Sequence, residues 1–254
     1  MAILDQFKLD GKVAIVTGAG RGLGQGIAFG LAEAGADIAG VDVVEQSETK
    51  SGVEERGRRC APIQADLSKS ECVPQIVDAA LAAFGHIDIL FNNAGIIRRA
   101  PLTEFSEKDW DDVININLRT LFFLSQAVAK VMIKQGKGGK IINTASMLSF
   151  QGGIRVPSYT ASKSAVMGLT RLMGNELAPY GINVNAIAPG YMATDNTKAL
   201  RADDKRNAEI LARIPAARWG LPTDLQGAAV FLASAASDYV QAYTIAVDGG
   251  WLAR

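Results

Sequence analysis

The stretch KVAIVTGAGRGLGQGIAFGLAEAG (residues 12–35) opens on an apolar, β-branched run, passes through four glycines from Gly18 to Gly24, and continues with apolar residues at helical spacing. Strand, glycine turn and helix follow one another without a break, which is how a βαβ unit begins. The same alternation continues outward. DIAGVD (37–42), IDILFNN (87–93), KIINTAS (140–146), INVNAIAP (182–189) and TIAVDGG (244–250) read as strands, with a weaker one around Arg59–Gln64. Helical spacing appears in LRTLFFLSQAVAKVMIKQG (118–136) and around Ser158–Tyr180. Most strands are apolar throughout, as expected when both faces are covered. The pattern predicts an α/β fold with a doubly wound parallel sheet, flanked by helices on both faces. No linker or repeat divides residues 1–254, which read as one domain. The charged segment 191–214 interrupts the rhythm and is expected to form a substrate lid.

Bulk composition narrows the function. The 254 residues carry no formal net charge and are 48% hydrophobic. That supports a sizeable core and gives no basic excess for nucleic acid or a membrane surface. No transmembrane helix or secretory leader is expected. Cys60 and Cys72 form no CxxC pair and read as reduced thiols, consistent with a cytoplasmic protein. His86 is the one histidine. A histidine-rich metal site is therefore not available, and no metal is expected. His86 itself reads as a strand-start residue without a catalytic role.

The glycine loop Gly18, Arg21, Gly22, Leu23 and Gly24 lets backbone approach a ligand closely, and the helix that follows offers free N–H groups to a pyrophosphate. Asp42 ends the second strand, where a carboxylate accepts the hydroxyls of an adenosine ribose. It would repel a 2′-phosphate by ~4 kcal/mol at about 4 Å and an effective dielectric near 20. NAD is therefore expected over NADP, although Arg21 complicates the choice and Asp42 also reads as a strand-end turn former. Asp66, followed by Leu67, and the Asn93-Ala94-Gly95 turn fit the adenosine side of such a cleft. Each alone equally fits ordinary turn chemistry.

With histidine scarce, acid–base chemistry needs another group. Tyr159 and Lys163 lie four apart in a helical segment, hence on one face, where an ammonium favours the phenolate. Ser146 ends the fifth strand and can hold a substrate oxygen. Asn117 sits at an expected helix bend, where its amide could anchor a relay water. A Tyr-x-x-x-Lys pair or an Asn alone is common on ordinary helices. Their combination downstream of the glycine loop carries the weight.

Taken with TGAGRGLG, Asp66, NNAG, YTASK and Ala188-Pro189-Gly190, these residues resemble the short-chain dehydrogenase/reductase family over about residues 8–250. The resemblance implies a seven-stranded Rossmann-type fold. It implies Tyr159 as general acid/base, Lys163 as its activator and ribose ligand, Ser146 as donor to the substrate oxygen, and Asn117 as relay support. Pro189, Gly190 and Thr194 match positions that line the nicotinamide. The stretches SMLSFQGGIRVPSYTASK, INVNAIAPGYMAT and YTIAVDGGWLAR resemble a subset acting on keto-deoxy sugar acids in pectin and uronate breakdown. A substrate carboxylate calls for a cation, with Arg98, Arg99, Arg155 and Arg218 as candidates. Arg155, between Ser146 and Tyr159, is the first choice, though any one of these reads equally well as a solvated surface residue. Gln151 and Met192 are further pocket candidates. The family also implies a homotetramer, through the helices near 118–135 and 158–179. Trp251 and Arg254 either close a neighbour's site or pack locally. Polyol dehydrogenase, 3-oxoacyl-thioester reductase and non-catalytic NADH sensor are the alternatives.

Overall fold

The computed structural model describes residues 2–254. Strand β1 (Val13–Thr17) is buried at all five positions, because helices cover both of its faces. In chain order follow α1 (Gly22–Glu33), β2 (Asp37–Asp42), α2 (Ser47–Glu54), β3 (Cys60–Gln64), α3 (Val73–Phe84) and β4 (Ile89–Asn92). Then come α4 (Glu107–Ile114), α5 (Leu121–Gln135), β5 (Gly139–Thr144), α6 (Pro157–Leu177) and β6 (Ile182–Pro189). The chain ends with α7 (Lys198–Ala202), α8 (Asp204–Arg213), α9 (Gln226–Ala233) and β7 (Thr244–Val247). The seven strands form one parallel sheet in the order β3-β2-β1-β4-β5-β6-β7. The order reverses between β1 and β4, which opens a crevice at the carboxyl ends of those strands.

Alternate side chains of each strand feed two separate cores. Val16, Ile38, Phe91 and Ile187 pack with Ile27 and Leu31 of α1 and Leu232 of α9. Ile15, Val41, Leu90 and Val184 pack with Ile76 of α3, Leu124 and Val128 of α5, and Met173 of α6. The sequence patterns of the fourth, fifth and seventh strands run on into turns, so these strands end earlier than their apolar runs. The helical run Glu107–Gln135 is longer and more apolar than the sequence suggested, and its length and composition would suffice to cross a bilayer. Here Leu124, Val128 and Met132 of that run face the sheet.

Between α4 and α5 the bend expected at Asn117 is a turn of π-helix, Asn115–Thr120. Such a turn widens a helix by one residue and reorients a side chain locally. Behind it, a buried polar ladder ties the central layers together. The Asn92 amide donates to Ser125 Oγ and to Asn143 Oδ1, each at 2.9 Å, and the Asn143 amide donates to Thr170 Oγ1 at 3.0 Å. One chain of bonds thus links α5, β4, β5 and α6. Replacing Asn143→Leu leaves a buried Asn92 N–H without an acceptor. The expected cost is about 1–3 kcal/mol of unfolding free energy, measured as a lower urea midpoint at unchanged slope.

Candidate active site

The crevice at the β1/β4 switch point is a cleft of about 320 Å³. Gly18, Arg21, Gly22, Leu23 and Gly24 form one wall; Asp42, Asp66 and Leu67 close one end; Asn93, Ala94 and Gly95 lie opposite. Two glycines show why the loop is built this way. A Cβ on Gly24 would collide with the Gly18 carbonyl oxygen. Gly22 takes a left-handed φ of 59°, and a Cβ there would meet only a Thr194 methyl, at 3.9 Å, across the cleft. The glycine turn is tied to the opposite wall: the Asn93 and Ala94 N–H groups donate to Thr17 Oγ1, both at 3.0 Å, and the Asn93 amide donates to the Thr17 carbonyl at 3.0 Å.

Helix α1 begins at Gly22 with no side-chain cap on its first N–H groups. An uncapped N-terminus opening on a cleft suits a diphosphate. Asp42 is held in place by the backbone, its Oδ2 accepting from Gly20 N at 2.8 Å and its Oδ1 from Val44 N at 3.2 Å. Each oxygen keeps a lone pair for a hydroxyl donor. Asp66 accepts from Ser68 N at 2.9 Å, and that bond holds its carboxyl below the usual range. At the far end Thr144 Oγ1 is buried and without a partner while lining the cleft. A cradle kept clear of Cβ atoms, an uncapped helix start and an orphaned hydroxyl fit a dinucleotide.

Tyr159 and Lys163 reach this cleft from the first turns of α6. The Lys163 ammonium lies 5.7 Å from the Tyr159 ring centroid and donates to the Thr144 carbonyl at 2.6 Å. Burial alone pulls its pKa down to about 8. Burial also raises the Tyr159 phenol, while the Ser146 hydroxyl and then the Arg99 charge act to lower it. In the ligand-free protein exclusion of water dominates, because a phenolate loses its hydration there. Ser146 sits beyond β5 with Oγ accepting from Leu148 N at 3.1 Å.

Asn117 is fully buried, and its amide is bonded to two elements of the protein. Oδ1 accepts from Ile96 N at 2.9 Å, and Nδ2 donates to the Ile96 carbonyl at 3.0 Å and to Ser162 Oγ at 3.3 Å. The side chain clamps the loop after β4 onto α6. Gly190 packs so tightly on Asp248 that a Cβ would come within 2.6 Å of its Cα. That packing explains the glycine without a ligand, and Pro189 is buried as the last residue of β6. The Thr144 carbonyl, Ile96 and Ser162 were not singled out from the sequence. Two of these act through backbone, which leaves no mark in residue type.

The segment expected as a lid carries α7 and α8. Its first residues are pinned from three sides. Arg21 pairs with Asp195 at 3.2 Å, Arg99 donates to the Asn196 carbonyl at 3.3 Å, and Arg201 donates to the Thr194 carbonyl at 3.1 Å. Below α8, Tyr191 sets its ring edgewise against Trp219 and Trp251, at 5.4 and 4.8 Å between centroids. Arg254 caps the end of α8, donating to the Ala212 carbonyl at 2.8 Å and the Arg213 carbonyl at 3.2 Å. Trp251 is buried, and Arg254 makes both of these bonds within its own chain. Gln151 accepts from Arg213 at 3.1 Å, and Met192 is buried. Arg155 is exposed, with a left-handed φ of 62°, and only its carbonyl is engaged, by Ala100 N at 3.1 Å. His86 lies at the opposite end of the sheet, beside Asp88 at 3.1 Å.

The buried lysine has a measurable signature. A lysine pKa lowered from 10.5 to about 8 means that the unfolded chain binds more protons between those values. The penalty for the buried ammonium is present in full below pH 8 and is relieved as pH rises toward 10.5. The ligand-free protein should therefore gain a stability increment over this window that Lys163→Met lacks. Unfolding midpoints of the two proteins, compared from pH 7 to 10, check this.

Three comparisons place these features among known proteins. Residues 12–205 match the family model described as short chain dehydrogenase. The chain is 68% identical over 252 residues to a 2-dehydro-3-deoxy-D-gluconate 5-dehydrogenase of Escherichia coli (strain K12), covering 99% of this chain and 100% of the relative. It is 56% identical to the protein of the same name in Bacillus subtilis (strain 168), covering 98% of each. Among solved structures, a gluconate 5-dehydrogenase from Burkholderia cenocepacia J2315 in complex with NADP and tartrate superposes with a TM-score of 0.94 at 43% identity, over 99% of each chain. With the family model matching most of its length and such relatives aligned end to end, this chain belongs to the short-chain dehydrogenase/reductase family.

Proposed function

We propose that the protein moves a hydride between a nicotinamide dinucleotide and a secondary hydroxyl or keto carbon of a deoxy sugar acid, in the manner of a 2-dehydro-3-deoxy-D-gluconate 5-dehydrogenase. The observation that carries this reading is the convergence of Tyr159, Lys163 and the Ser146 hydroxyl at the end of a glycine-walled cleft. The full-length likeness to enzymes of that name supplies the substrate class. When bound, an oxidised nicotinamide supplies the hydride acceptor and a positive charge near the phenol.

The chain's own groups handle the proton. Ser146 Oγ holds the substrate oxygen, and Tyr159 takes its proton on oxidation or gives one on reduction. Lys163, fixed on the Thr144 carbonyl, keeps two further N–H groups for a ribose hydroxyl and for the phenol side of the site. Asn117 acts by holding the Ile96 loop against α6, so that the cleft keeps its width. Pro189, Gly190 and Thr194 border the nicotinamide end, and residues 191–214 cover it as a lid. The chain works as one domain, as a homotetramer in the cytoplasm, on a small molecule, with no nucleic acid, membrane or metal involved, in sugar-acid breakdown such as that of pectin.

NAD is the proposed coenzyme. Both Asp42 oxygens are set by backbone N–H groups at the adenosine end, where a 2′-phosphate would face a fixed carboxylate. The Burkholderia structure contains NADP, so the choice needs a direct measurement. In steady-state assays kcat/KM with NAD should exceed that with NADP, and Asp42→Ser should narrow the gap by about tenfold or more. Equal use of both by the wild type overturns the coenzyme assignment alone.

The chemistry is tested by Tyr159→Phe, which keeps the ring and removes the proton carrier. Turnover of 2-dehydro-3-deoxy-D-gluconate should fall by about 10³-fold or more, with dinucleotide binding, followed by fluorescence, retained. Undiminished turnover would sink the mechanism.

A further inference from the structure

The coenzyme assignment rests on the direction in which the Asp42 carboxylate points. We propose that Thr49, on the first turn of α2, is a positioning residue: it sets that carboxylate through a single peptide unit and so sustains the discrimination between NAD and NADP. This rests on the coenzyme assignment proposed above and adds the group that keeps Asp42 in place.

The peptide between Ala19 and Gly20 is held on both sides. Its N–H donates to Asp42 Oδ2 at 2.8 Å, and its carbonyl accepts from Thr49 Oγ1 at 2.7 Å. A peptide unit is planar, so fixing its carbonyl fixes the direction of its N–H. The approach to the carboxylate is close: a Cβ on Gly20 would lie 3.0 Å from the same Asp42 oxygen and 2.7 Å from a Val44 methyl. Thr49 and Asp42 thus grip opposite edges of one rigid plate. Asp42 lines the cleft, whereas Thr49 is fully buried outside that lining.

Thr49 is itself fixed. The Gln25 amide of α1 donates to Thr49 Oγ1 at 3.1 Å, which leaves the threonine hydroxyl proton for the Ala19 carbonyl. The start of α2 is seated by Gln46, buried three residues earlier. Its amide donates to the Gly40 carbonyl of β2 at 3.1 Å and to the Ile63 carbonyl of β3 at 3.3 Å. A buried threonine often does no more than satisfy its own hydroxyl. Here its partner is the carbonyl of the very peptide whose N–H meets Asp42. Without that hydroxyl the Ala19 carbonyl loses a donor in a buried setting, and the plate turns to find another. The Gly20 N–H then leaves Asp42 Oδ2, and the carboxylate swings free. Its grip on ribose hydroxyls weakens and its repulsion of a 2′-phosphate falls, so both changes narrow the difference between the coenzymes.

The test is the ratio of NADPH to NADH dissociation constants, titrated by nicotinamide fluorescence without substrate, on wild type, Thr49→Val, Thr49→Ala and Thr49→Ser. Each ratio comes from one preparation, so a general loss of folded protein cancels. The wild type should bind NADH the more tightly. Thr49→Val, which keeps the shape and removes the hydroxyl, should reduce that preference by about three- to tenfold, as expected for the loss of one hydrogen bond. Thr49→Ala should do the same and replaces the valine variant should that one not fold. Thr49→Ser keeps the hydroxyl and should retain the preference. An unchanged ratio in the variants without a hydroxyl, or an equal fall in Thr49→Ser, overturns the inference and leaves the coenzyme assignment standing. A wild type that binds NADPH as tightly as NADH overturns the coenzyme assignment, and this inference with it.

Discussion

The site depends on a buried ammonium set against a main-chain carbonyl. Lys163 projects from α6 and bonds the Thr144 carbonyl at the end of β5. That one bond fixes the distance between the helix carrying Tyr159 and the strand end that leads to Ser146. A fully buried ammonium loses its hydration, and a single short bond to a carbonyl compensates only in part. Burial of the ammonium accordingly lowers the lysine pKa. Ser149 Oγ strengthens the same junction by donating to the Lys163 carbonyl at 2.6 Å. Strand end, following turn and helix start therefore move as one piece.

The buried polar ladder extends this logic away from the cleft. Asn92, Asn143 and Thr170 carry hydrogen bonds through layers that apolar contacts alone would leave free to slide. Apolar packing is non-directional, so it sets the spacing of α6 from the sheet without setting its register. Paired amides in a dry interior do set it, since any slip leaves a donor unsatisfied. The Asn117 clamp on Ile96 does the same for the loop after β4. Much of this machinery is thus spent on holding walls in place, and only a few groups face the cleft.

Legibility in the sequence followed this division. The strands and the glycine loop were readable because periodicity and glycine placement are local signals. The group of Ser146, Tyr159 and Lys163 was readable because α6 puts two of them one turn apart and β5 ends close to the third. What escaped was set by tertiary environment. The sign of the Tyr159 shift depends on how completely water is excluded, which residue spacing cannot report. The bonds from the Asn117 amide to Ile96 leave no mark in residue type, since every residue but proline offers the same backbone groups. Arg99 and Arg98 look alike in sequence, and only the positions of Asp109 and Asp112 distinguish them.

The aromatic cluster beneath α8 has a practical consequence. The chain has three tryptophans, and two of them, Trp219 and Trp251, flank Tyr191 beside α8. Trp219 Nε1 also donates to Asn207 of α8 at 2.7 Å. Displacement of α8 would change the polarity and quenching around both indoles at once. The enzyme therefore carries its own optical reporter, and time-resolved emission can follow the movement of α8 without an attached dye.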